Sequence, residues 1–282
     1  MNLNSFRHII IQPVFLLVII VLVFNWGGMA QAQDFTLKRS IPVKASYMCI
    51  DELGYIYLVD KNRLSKMGWE GTLMFTYSNL TSGDITTTDA GNPFKLLLFF
   101  MDFGNIEFLD NTLSLSNTIS LNIFGLELST LAALSYNNGF WVFNPQNLEL
   151  IRIDQFLQIS DRTGNIHQVT GKSINPNFLL EKDDMVFLND PEHGIMMFDK
   201  YGAYYKTINV KGLDYIQSFD KKLVFFQDGK MTILDPATLE EISFTLPDTD
   251  YKMLAVLLGK DEKKLYYLGD GVLKIYVLNK SL

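Results

Sequence analysis

The sequence predicts an all-β fold: a six-bladed β-propeller of four-stranded antiparallel blades, closed by an N-terminal strand that completes the last blade. Three observations predict it. An apolar run recurs six times, as YIYLVD, LLLFFMD, FWVFN, MVFLND, LVFFQD and LYYLGD, and each copy ends in Asp or Asn. Turn-forming residues stand at similar places around every copy. Beyond residue 32, no stretch carries an apolar stripe of 3.6-residue period over a helical length.

The terminal residues of the six runs are Asp60, Asp102, Asn144, Asp190, Asp228 and Asp270, spaced by 42, 42, 46, 38 and 42 residues. A period near 42 residues, built of short strands and turns, is the signature of a propeller blade. Before each run lies a turn signal, such as Asp51 to Gly54 or Asn137 to Gly139. After it comes a second apolar strand, such as GIMMFD or KMTILD, then another turn and a more polar strand. Runs of four to eight Val, Ile, Tyr and Phe residues between Gly, Asp and Asn form hairpins. The nearly all-apolar second strand fits a position covered on both faces by neighbouring blades. The polar fourth strand fits the outer rim.

The last blade is short of a strand. Its strands fall at Tyr251 to Leu258, Leu265 to Leu268 and Val272 to Val277, and the chain ends at Leu282. The segment from Asp34 to Val43 precedes the first blade and belongs to none, so it is expected to pair with Val272 to Val277 and close the ring. Closure of this kind removes an exposed edge. The second blade is the least regular, because its first strand must lie in the polar stretch from Asn79 to Asn92. A five-bladed ring with one irregular insertion is the alternative.

Residues 1–32 read differently from the rest. Arg7 is followed by the apolar run Val14 to Phe24 and by Ala30-Gln31-Ala32, a small-x-small site. That layout is a secretory signal peptide, which leaves residues 33–282 as one propeller domain. A retained membrane anchor is the competing reading, although Gln12-Pro13 interrupts the run and a span needs about 20 apolar residues. The expected location is the periplasm or cell surface. Beyond the leader there is one cysteine, Cys49, so no internal disulfide is available; the thiol reads as a small buried hydrophobe.

Two blades carry a family likeness. The stretch from Cys49 to Tyr77 presents Asp51, Gly54, Tyr57, Asp60 and Gly71, and the stretch from Met185 to Ile208 presents Asp190, Phe198, Asp199 and Gly202. These resemble the repeats of NHL-type six-bladed propellers. The resemblance implies the fold; propellers of this type serve as enzymes, ligand binders and scaffolds alike.

The net charge is −7 with no basic cluster, which argues against nucleic acid as a partner. Candidate chemistry is sparse. His167 and His193 sit on different blades, too few and too far apart in sequence for a His-based metal site. Arg39, Arg63, Arg152 and Arg162 are scattered, and no nucleophile elbow, zinc-protease helix or phosphate loop is present. No catalytic residue, cofactor or metal ligand is therefore expected. The six terminal Asp and Asn residues ring one face, either as turn formers or as a cation site; turn chemistry is favoured because it recurs in every blade.

The feature that breaks the repeat is apolar. The connection from Ser120 to Leu134 holds Phe124, Leu126 and Leu128, and the segment Lys211 to Ile216 holds Leu213 and Tyr215 at the corresponding place two blades on. These residues are either core, plugging the channel or forming an innermost strand, or a surface for a partner. The expected function is an exported, non-catalytic propeller that binds an envelope protein or acts as a scaffold, with membrane association only through that partner. The alternative is a small-molecule or glycan-binding propeller, a hydrolase or lyase included, that uses one face of the central channel.

Overall fold

The computed structural model describes residues 34–247, 253–259 and 263–279. The expected signal peptide, residues 1–32, lies outside them. Six separate four-stranded antiparallel sheets follow one another along the chain, which excludes the five-bladed alternative. Each sheet keeps the order inner, second, third, outer. Blade 3, for example, runs Leu131–Leu134, Phe140–Asn144, Glu149–Ile153 and Ile159–Arg162.

The ring closes as expected. Phe35–Pro42 pairs antiparallel with Val272–Leu278, from Phe35 opposite Leu278 to Pro42 opposite Val272, with one register shift between Leu37 and Arg39. The outermost strand of blade 6 therefore comes from the other end of the chain.

The core lies between blades, not within one. Six clusters of buried side chains each draw on two neighbouring blades. Strand alternation explains how. Along Phe140–Asn144, Phe140 and Val142 pack toward blade 2, whereas Trp141 and Phe143 pack toward blade 4. Successive side chains point to opposite faces of a sheet, so an unbroken apolar strand feeds two interfaces at once. That is why the second strands are uniformly apolar in sequence. Burying one such side chain is worth about 1.5–3 kcal/mol, and a single blade removed from the ring would expose both of its faces.

The first strand of blade 2 lies within the stretch expected for it. It is Thr87–Asn92, a polar segment that still forms an inner strand because Phe99, Leu98 and Leu97 of the next strand pair with it. His167 stands on a one-turn helix, Ile166–Thr170, in the connection between blades 3 and 4. The Asn165 side chain accepts the Gln168 N–H at 3.2 Å and left-handed Gly171 ends the helix. Five residues are too few to leave a periodic stripe.

Candidate functional site

Two places could carry function: the face crossed by the connections between blades, and the channel along the ring axis. The connection between blades 2 and 3 opens with a 3-10 turn, Leu121–Phe124, ended by left-handed Gly125, and only its last residues form an inner strand. Leu126 is buried between blades 2 and 3, and Phe124 is half-buried against the same cluster. Leu128 and Ile123 stay outside, at 55% and 66% exposure. The turn Met101–Phe103 of blade 2 rests against this connection. Gly104 donates nothing to it through a side chain but approaches so closely that a Cβ would fall 2.9 Å from the Glu127 carbonyl oxygen, and its own carbonyl accepts the Leu121 N–H at 2.8 Å. Phe103, 59% exposed, reaches to Gly83 of the preceding connection. Met101, Phe103, Ile123 and Leu128 are thus exposed on neighbouring turns of the same face at blade 2.

Leu213 and Tyr215 are elsewhere. Leu213 is fully buried between blades 4 and 5, and Tyr215 turns its ring toward the channel. The five candidate residues are not brought together. Tyr215 has a specific bond: its hydroxyl exchanges hydrogen bonds with the Val256 backbone of blade 6. Gln217 does the same one residue pair further on, accepting the Leu258 N–H at 2.8 Å and donating to its carbonyl at 3.3 Å. Both side chains satisfy the unpaired edge of an inner strand, which otherwise leaves backbone groups facing the axis.

Asp89 plays the equivalent part between blades 2 and 3. Its carboxylate accepts the Gly91 N–H at 2.7 Å and the Leu134 N–H at 2.8 Å. Burial still pushes its carboxyl up, with those two bonds opposing. Cys49 and Tyr47 lie nearby, and burial pushes both of their protons up as well. A thiol held protonated in this way is a poor nucleophile. At the far mouth, Lys182 of blade 4 pairs with Glu52 of blade 1. The channel encloses a cavity of about 410 Å³.

Three other buried polar clusters are saturated. Glu181 accepts from Trp141 Nε1 at 2.6 Å, from Ser135 Oγ at 2.5 Å and from the Tyr136 N–H at 3.0 Å. Arg152, 3% exposed, donates to Ser135, Ser160 and the Tyr136 carbonyl and stacks 3.7 Å from the Tyr136 ring centroid. Glu107 is held by Tyr77, Asn79 and Ser82. These clusters lock blades together, and their donors and acceptors are occupied by one another.

Four of the six terminal Asp and Asn residues show turn chemistry. Asp190 accepts the N–H groups of Glu192, His193 and Asn175, Asn144 accepts that of Gln146, and Asp228 and Asp270 take left-handed backbone angles. His193 Nδ1 lies 3.1 Å from Asp190. No group of three His, Cys, Asp or Glu side chains among the described residues is arranged to hold a metal ion. A second and more regular set is Asp110, Asp154, Asp199 and Asp235, in turns between third and fourth strands; sequence reasoning placed turns there but did not set the four residues together. Each accepts backbone N–H groups two and three or four residues on. The signal was present as an Asp at the end of the third strand in blades 2 to 5.

These features define the class, a six-bladed propeller joined at its two chain ends. No family model matches the chain, and no curated protein does. Solved structures match the fold. The WD40 domain of Neurospora crassa Pan2 superposes with a TM-score of 0.58 at 9% identity, covering 90% of this chain and 98% of that one. A catalytically inactive virginiamycin B lyase from Staphylococcus aureus, with quinupristin, gives 0.57 at 14% identity, covering 82% and 79%. A streptogramin B lyase gives 0.56, also at 14%, covering 82% and 78%. The chain shares the propeller fold with virginiamycin B lyase, and identities this low establish the fold alone.

Proposed function

We propose that the chain is an exported, non-catalytic propeller that docks a protein of the cell envelope through the interblade face around blade 2. The observation that carries this reading is the exposure of Met101, Phe103, Ile123 and Leu128 on neighbouring turns of that face. Large apolar side chains grouped on a surface mark interaction sites, and here they sit where the repeat is broken. The saturation of the Glu107, Glu181 and Arg152 clusters fits a scaffold better than an enzyme. The blades are further proposed to be of NHL type: Asp51 accepts the Leu53 and Tyr55 N–H groups and the Tyr57 hydroxyl, tying together two positions of the repeat, Asp51 and Tyr57.

The test is co-purification from envelope membranes with the double variant Phe103→Asp, Ile123→Asp. The partner retained by the wild type is expected to be lost, with a melting temperature close to that of the wild type. Retention of the same partner by the double variant defeats the docking reading. Intact mass analysis of the native protein is expected to begin at Gln33; residues 1–32 found attached would defeat the export-and-cleavage reading.

A further inference from the structure

The axial channel has features that closing a ring does not require. Its cavity of about 410 Å³ falls within the range of small-molecule sites, roughly 300–1,000 Å³. Much of its wall is apolar, with Leu131, Leu180 and Leu257 among the residues facing it. Behind that wall, the Thr87, Thr88 and Ser218 hydroxyl oxygens have no hydrogen bond and are covered from the cavity.

The charges lining the same cavity are one-sided. Asp51, Glu52, Asp89 and Asp220 border it against a single described cation, Lys182, which is held by Glu52. Asp51 is already engaged by three donors. Asp89 is different: it sits in the wall with two backbone N–H groups and no ion pair. A carboxylate accepts at about four lone-pair positions, so room is left for a further donor. Four aromatic rings, Tyr47, Phe178, Tyr215 and Phe219, border the cavity as well, and the faces of such rings attract cations.

We propose that the channel binds a small organic cation, an ammonium group on an apolar body, with the ammonium at Asp89. The apolar body lies along the leucine and aromatic wall. Because Glu52 and Lys182 span the far mouth, the ligand enters from the end where Tyr47 and Thr87 begin their strands. This site is separate from the docking face and does not depend on it.

The experiment is a calorimetric titration of the full mature chain with three matched probes: 4-phenylbutylammonium, 4-phenylbutanol and 4-phenylbutyrate. The ammonium is expected to bind saturably at one site, at least tenfold more tightly than the alcohol, and the carboxylate not to bind. Asp89→Asn keeps an oxygen for a backbone N–H and removes the charge; it is expected to weaken the ammonium at least fivefold and leave the alcohol unchanged. Phe219→Leu removes an aromatic face from the wall and keeps an apolar side chain, so it reports even where Asp89→Asn does not fold. It is expected to weaken the ammonium in the same direction. Absence of saturable ammonium binding, equal or tighter binding of the alcohol or the carboxylate, or full ammonium affinity in the Phe219→Leu variant each overturns the proposal.

Discussion

The two ends of the propeller are built by different rules. At one end, the turns between third and fourth strands repeat almost unchanged. Asp110, Asp154, Asp199 and Asp235 each accept N–H groups from the turn ahead, and the residue three or four on takes a left-handed conformation: Leu113, Leu157, Gly202 and Leu239. At the other end, the connections between blades differ from one another. One is a 3-10 turn, Leu121–Phe124, and the next contains a one-turn helix, Ile166–Thr170. The repeated turns have one job, reversing the chain, and tight reversals accept few solutions. The connections have only to span neighbouring blades, so their sequences are free to carry surface. Regularity marks structure, and departure from it marks the places to test for function.

The largest expected effect is loss of the closure that both ends depend on. Removing residues 34–42 deletes the strand that pairs with Val272–Leu278 and takes Phe35 out of the blade 5–6 core. The uncovered strand becomes a free edge. The truncated chain is expected to aggregate or to melt in a broad transition; a cooperative melt at the temperature of the mature chain would contradict the need for closure.

Within the variable end, the comparison sharpens to two residues of one connection. Leu126 is buried and Leu128 is exposed, two positions apart. Leu126→Asp buries a charge between blades 2 and 3 and is expected to cost roughly 4 kcal/mol or more. Leu128→Asp is expected to stay within about 0.5 kcal/mol of the wild type. Denaturant melts of both variants check this, and similar midpoints would mean that the connection does not pack as described.

At the regular end, Asp199→Ala removes a carboxylate that accepts the Tyr201 and Ala203 N–H groups, each at 2.9 Å. The expected loss is about 1–2 kcal/mol, by analogy with other charged hydrogen bonds. The same turns give stability a dependence on acid. Hydrogen bonds from the Thr112 side chain and the backbone hold the Asp110 carboxyl below its usual range, and backbone N–H groups do the same for Asp235. A carboxyl whose folded pKa is depressed contributes stability above its unfolded pKa and loses it as pH falls through the folded one. Stability is therefore expected to drop below the ordinary carboxylate range, and Asp110→Asn with Asp235→Asn to flatten that drop. Asp89, pushed up by burial, works in the opposite sense.

The repeat was legible because propeller strands are covered on both faces, which makes the second strand of each blade a continuous apolar word. Closure was legible by subtraction, since blade 6 lacked a strand that Phe35–Pro42 had no other use for. The channel was not. Asp89, Thr87 and Thr88 fall in the stretch that looked least regular, and what brings them to the axis is pairing with Leu97, Phe99 and Leu98, not any pattern of their own. The connection from Ser120 to Leu134 was visibly apolar, yet which of its side chains face inward depends on Gly125 turning the chain. One-dimensional periodicity carries no information about that turn's direction.

The smallest effect tests the regular turns against themselves. Two blades place glycine at the left-handed position, Gly71 and Gly202, and three place leucine, Leu113, Leu157 and Leu239. A left-handed conformation costs a residue with a Cβ about 1–2 kcal/mol, whereas glycine adopts it freely but loses roughly 0.5–1 kcal/mol more in chain entropy on folding. Leu239 is 56% exposed and contributes little to any core cluster, so Leu239→Gly relieves strain without leaving a cavity. The expected outcome is a net stabilisation of about 0.5 kcal/mol, seen as a rise of one or two degrees, since about 1 kcal/mol moves a chain of this size by roughly 2–4 °C. Leu113 has the same backbone angle but is buried between blades 1 and 2. Leu113→Gly is therefore expected to lower the melting temperature, because the lost packing exceeds the relieved strain. Opposite signs at two equivalent turns separate backbone strain from burial; a fall at both would show that strain relieved at Leu239 does not exceed the chain-entropy cost of glycine.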